Sequence, residues 1–459
     1  MFNDAHMAAL KGIVGADRVS AGESVRNLHS RDQSPHAAHP PDVVVWPERT
    51  EEVSRITAYA NEHRIPITGW GAGSSLEGNS IPVKGGIVID FDRMNHILSI
   101  YAEDFQVTVQ PGIFYKDMNK TLGQHGLFFA PDPGANASIG GMIANNAAGT
   151  RTPKYGATRD NVLALEVVLA NGDIIRTGSR SVKQSAGYDL TRLFVGSEGT
   201  LGLITEATLK LAPLPEHFSA AVTSFPTTDA AAQAVFNIMG AGLNPAALEL
   251  LDAATTAALN DAGQLDLPVA PTLLLEFHGA SGASLEVEME LVREICEESK
   301  CQTFTPGLGR EARDRLWEAR HCLGELLFRA YPGYGYLITD VAVPISQYPA
   351  IVAEASEALR LLDGVHGFVF GHAGDGNMHT LVVFPNIASE SERVQREFND
   401  RVVRKAIALG GTCTGEHGVG IGKQKYMRLE HGEAAMSVMR RLKEFFDPHG
   451  ILNPGKVVS

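Results

Sequence analysis

Cysteine is scarce in this chain of 459 residues: Cys296, Cys301, Cys322 and Cys413 are its four, and no two form a CxxC pair. That spacing excludes an iron–sulfur cluster or a structural zinc site. It suits buried or incidental thiols in a reducing cytoplasm better than the alternative of a Cys296–Cys301 disulfide. Long apolar runs are also missing, so the sequence predicts a soluble protein without a membrane span. The first fifteen residues carry neither a basic stretch leading into an apolar one nor an Arg-rich presequence pattern, and no export address is expected. Cations are outnumbered as well: 39 Lys and Arg against 53 Asp and Glu leave a net charge of −14. Nucleic acid and anionic lipid are thereby disfavoured as partners, because attraction to phosphate needs a basic surface.

What the chain has is length and glycine. Its 459 residues exceed what one core usually supports, so two domains are expected. The 47 glycines gather in short runs, which points to backbone approaching something closely. Strands are predicted at 42–47, 65–68, 86–90 and 107–110, and amphipathic helices at 51–63 and 116–125. Two further strands, 162–170 and 173–177, flank Asn171-Gly172, a strong hairpin signal. A strand at 203–211 runs into Pro213 and Pro215, which mark a boundary. Beyond it, long helical stretches such as 285–300 and 310–329 alternate with short strands, and an amphipathic helix covers 425–446. The fold class is α+β, with domains expected at 1–215 and 216–420 and a C-terminal segment at 421–459.

Three glycine clusters lie at 69–78, 131–149 and 196–202. Converging backbone N–H groups in such loops form an anion-binding nest suited to a pyrophosphate. The first cluster follows a strand, but Leu76 stands at the sixth position of a GxGxxG pattern, and Gly78 and Pro82 prevent a helix from following. A Rossmann dinucleotide site is thereby disfavoured.

A second constellation lies in the later domain. Residues 368–372 and 378–384 read as strands joined by a turn. If His372 and His379 face each other across that hairpin, their Cβ atoms are about 5 Å apart and can grip one metal. Residues 410–418 add Glu416 and His417 between glycines; in extended backbone the two side chains point to opposite sides, so one can ligate while the other faces substrate. Asp375 and Asn377 are either orienting partners of the ligands or plain turn residues. The donor chemistry suits zinc, manganese or ferrous iron.

Several of these segments together resemble a known family. Pro66 with residues 71–76, Pro131-Asp132-Pro133, residues 138–149, Tyr155-Gly156 and residues 196–202 look like the FAD-binding half of the vanillyl-alcohol oxidase (PCMH-type) flavoproteins. Residues 446–456 resemble the C-terminal signature of its D-lactate dehydrogenase and glycolate oxidase branch, and the likeness covers nearly the whole chain. The resemblance implies a PCMH-type FAD-binding domain plus a substrate (cap) domain with an antiparallel sheet flanked by helices. It implies FAD held by Pro66, Gly71, Ala72, Gly73, Ser74, Ser75, Gly78, Pro131, Asp132, Ser138, Gly141, Asn145, Gly149, Glu198, Gly202, Ile204 and Asn453. Relatives that tether their flavin use His or Cys where this chain has Ser74 and Ser75, so noncovalent FAD is expected.

His372, His379 and Glu416 match the family's metal ligands, for zinc or manganese; His417 matches its base and Arg320 its substrate arginine. Read without the family, Arg320 is a helix-surface charge. The implied activity is oxidation of a D-2-hydroxy acid, D-lactate foremost, with electrons passed to an external cytochrome, quinone or electron-transfer flavoprotein. The rivals are a glycolate oxidase flavin subunit, a D-2-hydroxyglutarate dehydrogenase and, from another class, a zinc hydrolase, which would leave the glycine clusters unexplained. Where the 2-hydroxyglutarate branch places a lysine this chain has Ile338, and Gly324 offers no hydroxyl; both favour a substrate without a second carboxylate. A homodimer and a cytoplasmic location, near a membrane only through the electron acceptor, complete the expectations.

Overall fold

Parallel strands need a crossover, and the first one here is a helix. In the computed structural model, which describes residues 2–263, 265–307 and 309–458, Val43–Val45 and Ile67–Trp70 both run parallel to Ile87–Asp90. Helix Thr50–His63 connects the first two and buries Val53, Ile56, Thr57 and Ala60, a spacing of three and four that puts one stripe on the core. Val19–Ser20 closes the four-stranded sheet as an antiparallel edge. A five-stranded antiparallel sheet follows, in the order Ile97–Tyr101, Gln106–Val109, Leu203–Lys210, Val162–Val168, Ile174–Gly178. The hairpin turn falls at Asn171-Gly172, where the Leu169 amide donates to the Asp173 carbonyl at 2.9 Å.

The second architecture is one seven-stranded sheet with every neighbour antiparallel. Its order is Thr303–Pro306, His217–Ser224, Thr272–Gly279, Ala247–Leu251, His366–His372, Asn377–Phe384, Gly335–Ala342. Helix Gly282–Glu298 turns Leu285, Met289, Val292 and Cys296 inward. The single helix expected over 310–329 is two, Arg310–His321 and Leu323–Ala330, because Cys322 sits at ψ 1° and ends the hydrogen-bond ladder. The terminal helix Gln424–Phe446 is likewise interrupted, at Gly432, whose φ of 72° and ψ of 167° only glycine adopts readily. Cys296 and Cys301 are thiols rather than a disulfide. Burial pushes the Cys296 thiol up to about 12.

The chain divides into two units: Met1–Ala148, Gly156–Leu214 and Glu416–Ser459 make one, and Gly149–Tyr155 with Pro215–Gly415 the other. This partition departs from the expected 216–420 domain in two places. Residues 149–155 join the second unit, where the Tyr155 hydroxyl meets His278 Nδ1 at 2.7 Å and Lys154 Nζ donates to the His278 carbonyl at 2.5 Å. Residues 416–420 join the first, because the amides of Val419 and Gly420 donate to the Glu198 carboxylate at 2.6 and 2.9 Å. Among the described residues, no helix is long and apolar enough to cross a membrane.

Candidate functional site

In the first unit the glycine clusters meet. The loop after Ile67–Trp70 passes so close to Ser138 that a Cβ on Gly71 would lie 2.1 Å from the Ser138 hydroxyl oxygen, so any larger residue would displace that side chain. Ser138 caps helix Ile139–Asn145, accepting from the Gly141 amide at 3.4 Å. The third cluster seats on the far end of that short helix: the Gly196 amide donates to Ile143 and the Glu198 amide to Ala144, at 2.9 and 2.8 Å. Asn453 ties in the C-terminal segment, its side-chain amide donating to the carbonyls of Asn79 and Glu198 at 2.9 and 2.7 Å.

Of the residues expected at the cofactor, Pro131, Asp132, Ser138, Glu198, Gly202, Ile204 and Asn453 are buried, Pro66, Ala72, Gly73, Ser74, Ser75 and Asn145 are half-buried, and Gly141 is exposed. Gly149 is buried. It belongs to the second unit, where its amide donates to the Thr152 hydroxyl at 3.2 Å. The Glu198 carboxylate is committed to protein donors, taking the Asn79 side chain at 2.8 Å besides the amides of Val419 and Gly420. Burial raises its pKa, and those donors offset the rise only in part. Glu198 therefore acts on the segment that carries Glu416 and His417. The His417 carbonyl also accepts from Asn145 Nδ2 at 3.3 Å. That segment is a series of bends rather than the extended strand expected, so strand alternation does not set the directions of the two side chains.

In the second unit the two histidines are together, but not by the register expected. His379 pairs across the hairpin with Phe370, and His372 lies two residues further along the same face. They are diagonal neighbours, with ring centroids 5.1 Å apart and planes at 86°. Both are buried, as is Asp340, the cross-strand partner of His379, with a carboxylate oxygen 3.6 Å from its Nδ1. Asn377 donates to Asp340 at 2.7 Å and Thr414 donates to its other oxygen at 2.8 Å. Asp375 accepts the Asn377 amide at 3.2 Å, which makes it a turn residue. Asp340 thus orders the strands around His379, and sequence reasoning missed it. The available signal was a carboxylate inside the apolar strand Gly335–Ala342.

Glu249 was missed too. It lies in strand Ala247–Leu251, all of which is buried, and its register partner is His372. Its Oε1 takes His372 Nδ1 at 2.6 Å, and its Oε2 accepts from Arg320 Nε at 2.7 Å, with Nη2 of the same guanidinium in ion-pair contact at 2.6 Å. Burial works to raise its pKa, but Arg320 and His372 overcome that and hold it below the usual carboxylate range. Arg320 is accordingly no helix-surface charge: it is 7% exposed, stacks 5.2 Å from the Phe370 ring centre and turns one edge of its guanidinium to Glu249.

The donor chemistry around the histidines fits a metal. With Nδ1 of His372 engaged by a carboxylate, Nε2 is the nitrogen presented for ligation, the usual carboxylate–histidine arrangement. The first unit thus offers closely approaching glycine backbone, and the second a buried pair of imidazoles.

Residues 41–178 match the family model "FAD binding domain", and residues 214–457 match "FAD linked oxidases, C-terminal domain". The chain belongs to the FAD-linked oxidases, and FAD is its cofactor. It is 43% identical to "Probable D-lactate dehydrogenase, mitochondrial" of Danio rerio, over 99% of this chain and 91% of that one. It is 41% identical to "Glycolate oxidase subunit GlcD" of Bacillus subtilis, over 97% and 95% of the two. Among solved structures, p-cresol methylhydroxylase with bound substrate superposes with a TM-score of 0.79 at 19% identity, covering 99% of this chain and 96% of that one. The likeness to that structure establishes the fold, which is the PCMH-type flavoprotein fold.

Proposed function

We propose that this enzyme oxidises D-lactate and related D-2-hydroxy acids to 2-keto acids, with noncovalent FAD, a divalent zinc or manganese ion and an external electron acceptor such as a cytochrome or quinone. The observation that carries the reading is the buried pair His372 and His379, with His372 fixed by Glu249, in a chain 43% identical to a protein named as a probable D-lactate dehydrogenase. FAD supplies the two-electron acceptor at N5, and the divalent ion supplies the Lewis acid that lowers the hydroxyl pKa.

The chain's own residues do the rest. His372, His379 and Glu416 hold the ion. Arg320 receives the substrate carboxylate on the edge of its guanidinium turned away from Glu249. His417 takes the hydroxyl proton, its backbone carbonyl held by Asn145 and the loop after it by Glu198. Ser74 and Ser75 stand where tethered relatives carry a nucleophile, so acid precipitation should release all of the flavin.

Specificity rests on strand Gly335–Ala342, where Ile338 shares a face with Asp340 and packs on the apolar cluster of Leu316, Trp317 and Leu381. A second carboxylate against that cluster would be desolvated without a cation, at a cost of several kcal/mol. Anaerobic mixing with D-lactate, glycolate and D-2-hydroxyglutarate, read as flavin bleaching, tests the assignment: D-lactate should reduce the flavin fastest, and a clear preference for the diacid would refute it. Glycolate oxidation is the second reading, favoured by the 41% identity to a glycolate oxidase subunit, and the same panel separates it.

A further inference from the structure

The proposed reaction needs two things at fixed separation, a metal for the hydroxyl and a cation for the carboxylate of one small substrate. Their holders come from distant parts of the second unit: His372 ends strand His366–His372, and Arg320 lies in the last turn of helix Arg310–His321. A single side chain spans them. Glu249 is 0% exposed, and its two oxygens are divided between His372 on one side and Arg320 on the other, all three contacts lying between 2.6 and 2.7 Å.

Its place gives it little freedom. Strand Ala247–Leu251 is central in the sheet, hydrogen-bonded to Thr272–Gly279 on one edge and to His366–His372 on the other. A carboxylate at such a position would be costly were it not paired on both oxygens. Glu249, His372 and Arg320 all lie within the second unit.

We infer that Glu249 is a positioning residue that sets the metal-binding nitrogen of His372 and the carboxylate-binding edge of Arg320 at matched places, so that metal and substrate affinity depend on one buried carboxylate. The inference rests on the metal-dependent reading above. Accepting Nδ1–H keeps His372 in the tautomer that presents Nε2, and a conjugate carboxylate makes that nitrogen more basic. The other oxygen, accepting from Nε and lying against Nη2 as an ion pair, holds the guanidinium in place and leaves its opposite edge to meet a substrate. A glutamine cannot replace it. Its amide has one oxygen for two donors and turns an NH2 group towards the other.

The test uses the flavin-loaded protein stripped of metal by chelation and retitrated with Zn2+ or Mn2+ against a competing chelator. Glu249→Gln should bind metal about 10- to 100-fold more weakly than the unaltered protein, with the flavin spectrum unchanged, and should raise KM for D-lactate. Because Glu249→Gln leaves Arg320 buried without a charged partner, Glu249→Gln combined with Arg320→Met removes both charges and keeps the question answerable if the single variant does not fold. The double variant should show the same loss of metal affinity. Unaltered metal affinity in either folded variant overturns the role of Glu249 while leaving the metal site intact. If the unaltered protein itself binds no metal that His379→Ala weakens, the metal-dependent reading falls, and this inference with it.

Discussion

Glu198 of the first unit and Glu249 of the second are both buried carboxylates, 4% and 0% exposed, and they are partnered in opposite ways. Glu198 meets neutral donors, two backbone amides and the Asn79 side chain, and burial raises its pKa. Glu249 meets Arg320 and His372, which overcome burial and keep it ionised. Glu276, also of the second unit, repeats the second pattern: against the effect of burial, His278 and Arg313 bring it down to about 2, and Trp317 donates to it as well. Glu198 gathers backbone into a loop. Glu249 and Glu276 orient charged and ring-bearing side chains from separate strands and helices. The contrast is one of partners and not of units, since Glu52 of the first unit is paired with Arg18 and held low, whereas Asp252 of the second takes the amides of Thr255 and Val369 and is raised by burial.

The sharpest way to break this comparison is His379→Ala. We expect it to lose bound metal and turnover while retaining FAD, since the imidazole pair lies wholly in the second unit. Elemental analysis and the flavin spectrum report the two separately, and loss of FAD together with the metal would show that the units do not divide the work. His417→Ala, from the first unit, should keep both metal and FAD but reduce the flavin about 10²-fold more slowly with D-lactate, since a general base typically contributes that much or more. Near-normal reduction in single-turnover mixing would move the base elsewhere.

Smaller effects follow from the opposed carboxylates. Glu276 falls from 4.5 to about 2 on folding, so the stability it contributes is fully present above pH 4.5 and is lost as pH falls through 2. That contribution is on the order of 3 kcal/mol. Glu198 is raised above 4.5, so the folded state holds its proton longer and stability falls as pH rises through the folded pKa. Thermal unfolding followed across the acid range should therefore lose a slope in Glu276→Gln and lose one of opposite sign in Glu198→Gln. Slopes of the same sign would erase the contrast.

Much of the fold was legible because it follows from local pattern. The stripe of Val53, Ile56 and Ala60 reads as a helix, and Asn171-Gly172 reads as a hairpin turn, without any long-range information. The break at Cys322 was not legible, since neither glycine nor proline marks it and the apolar spacing continues through it. At the candidate site the sequence shows which side chains can do chemistry and not what holds them. His372 and His379 stood out among glycines, but their diagonal register depends on where the turn begins and ends. Glu249 and Asp340 are single acids in apolar strands, and their partners, 71 and 37 residues away, are joined to them only by folding.

The excursion of residues 149–155 bears on how such an enzyme can be taken apart. The chain passes from one unit to the other four times, after Ala148, Tyr155, Leu214 and Gly415. Neither half is therefore a cassette. A fragment cut at 215 and 415 would lack the seven residues that bring Tyr155 and Lys154 to His278, and a swap with a relative's cap would have to carry that short stretch along with it. Recombination within this family should accordingly succeed only when two separate stretches of sequence, the excursion at 149–155 and the cap at 215–415, are exchanged in concert.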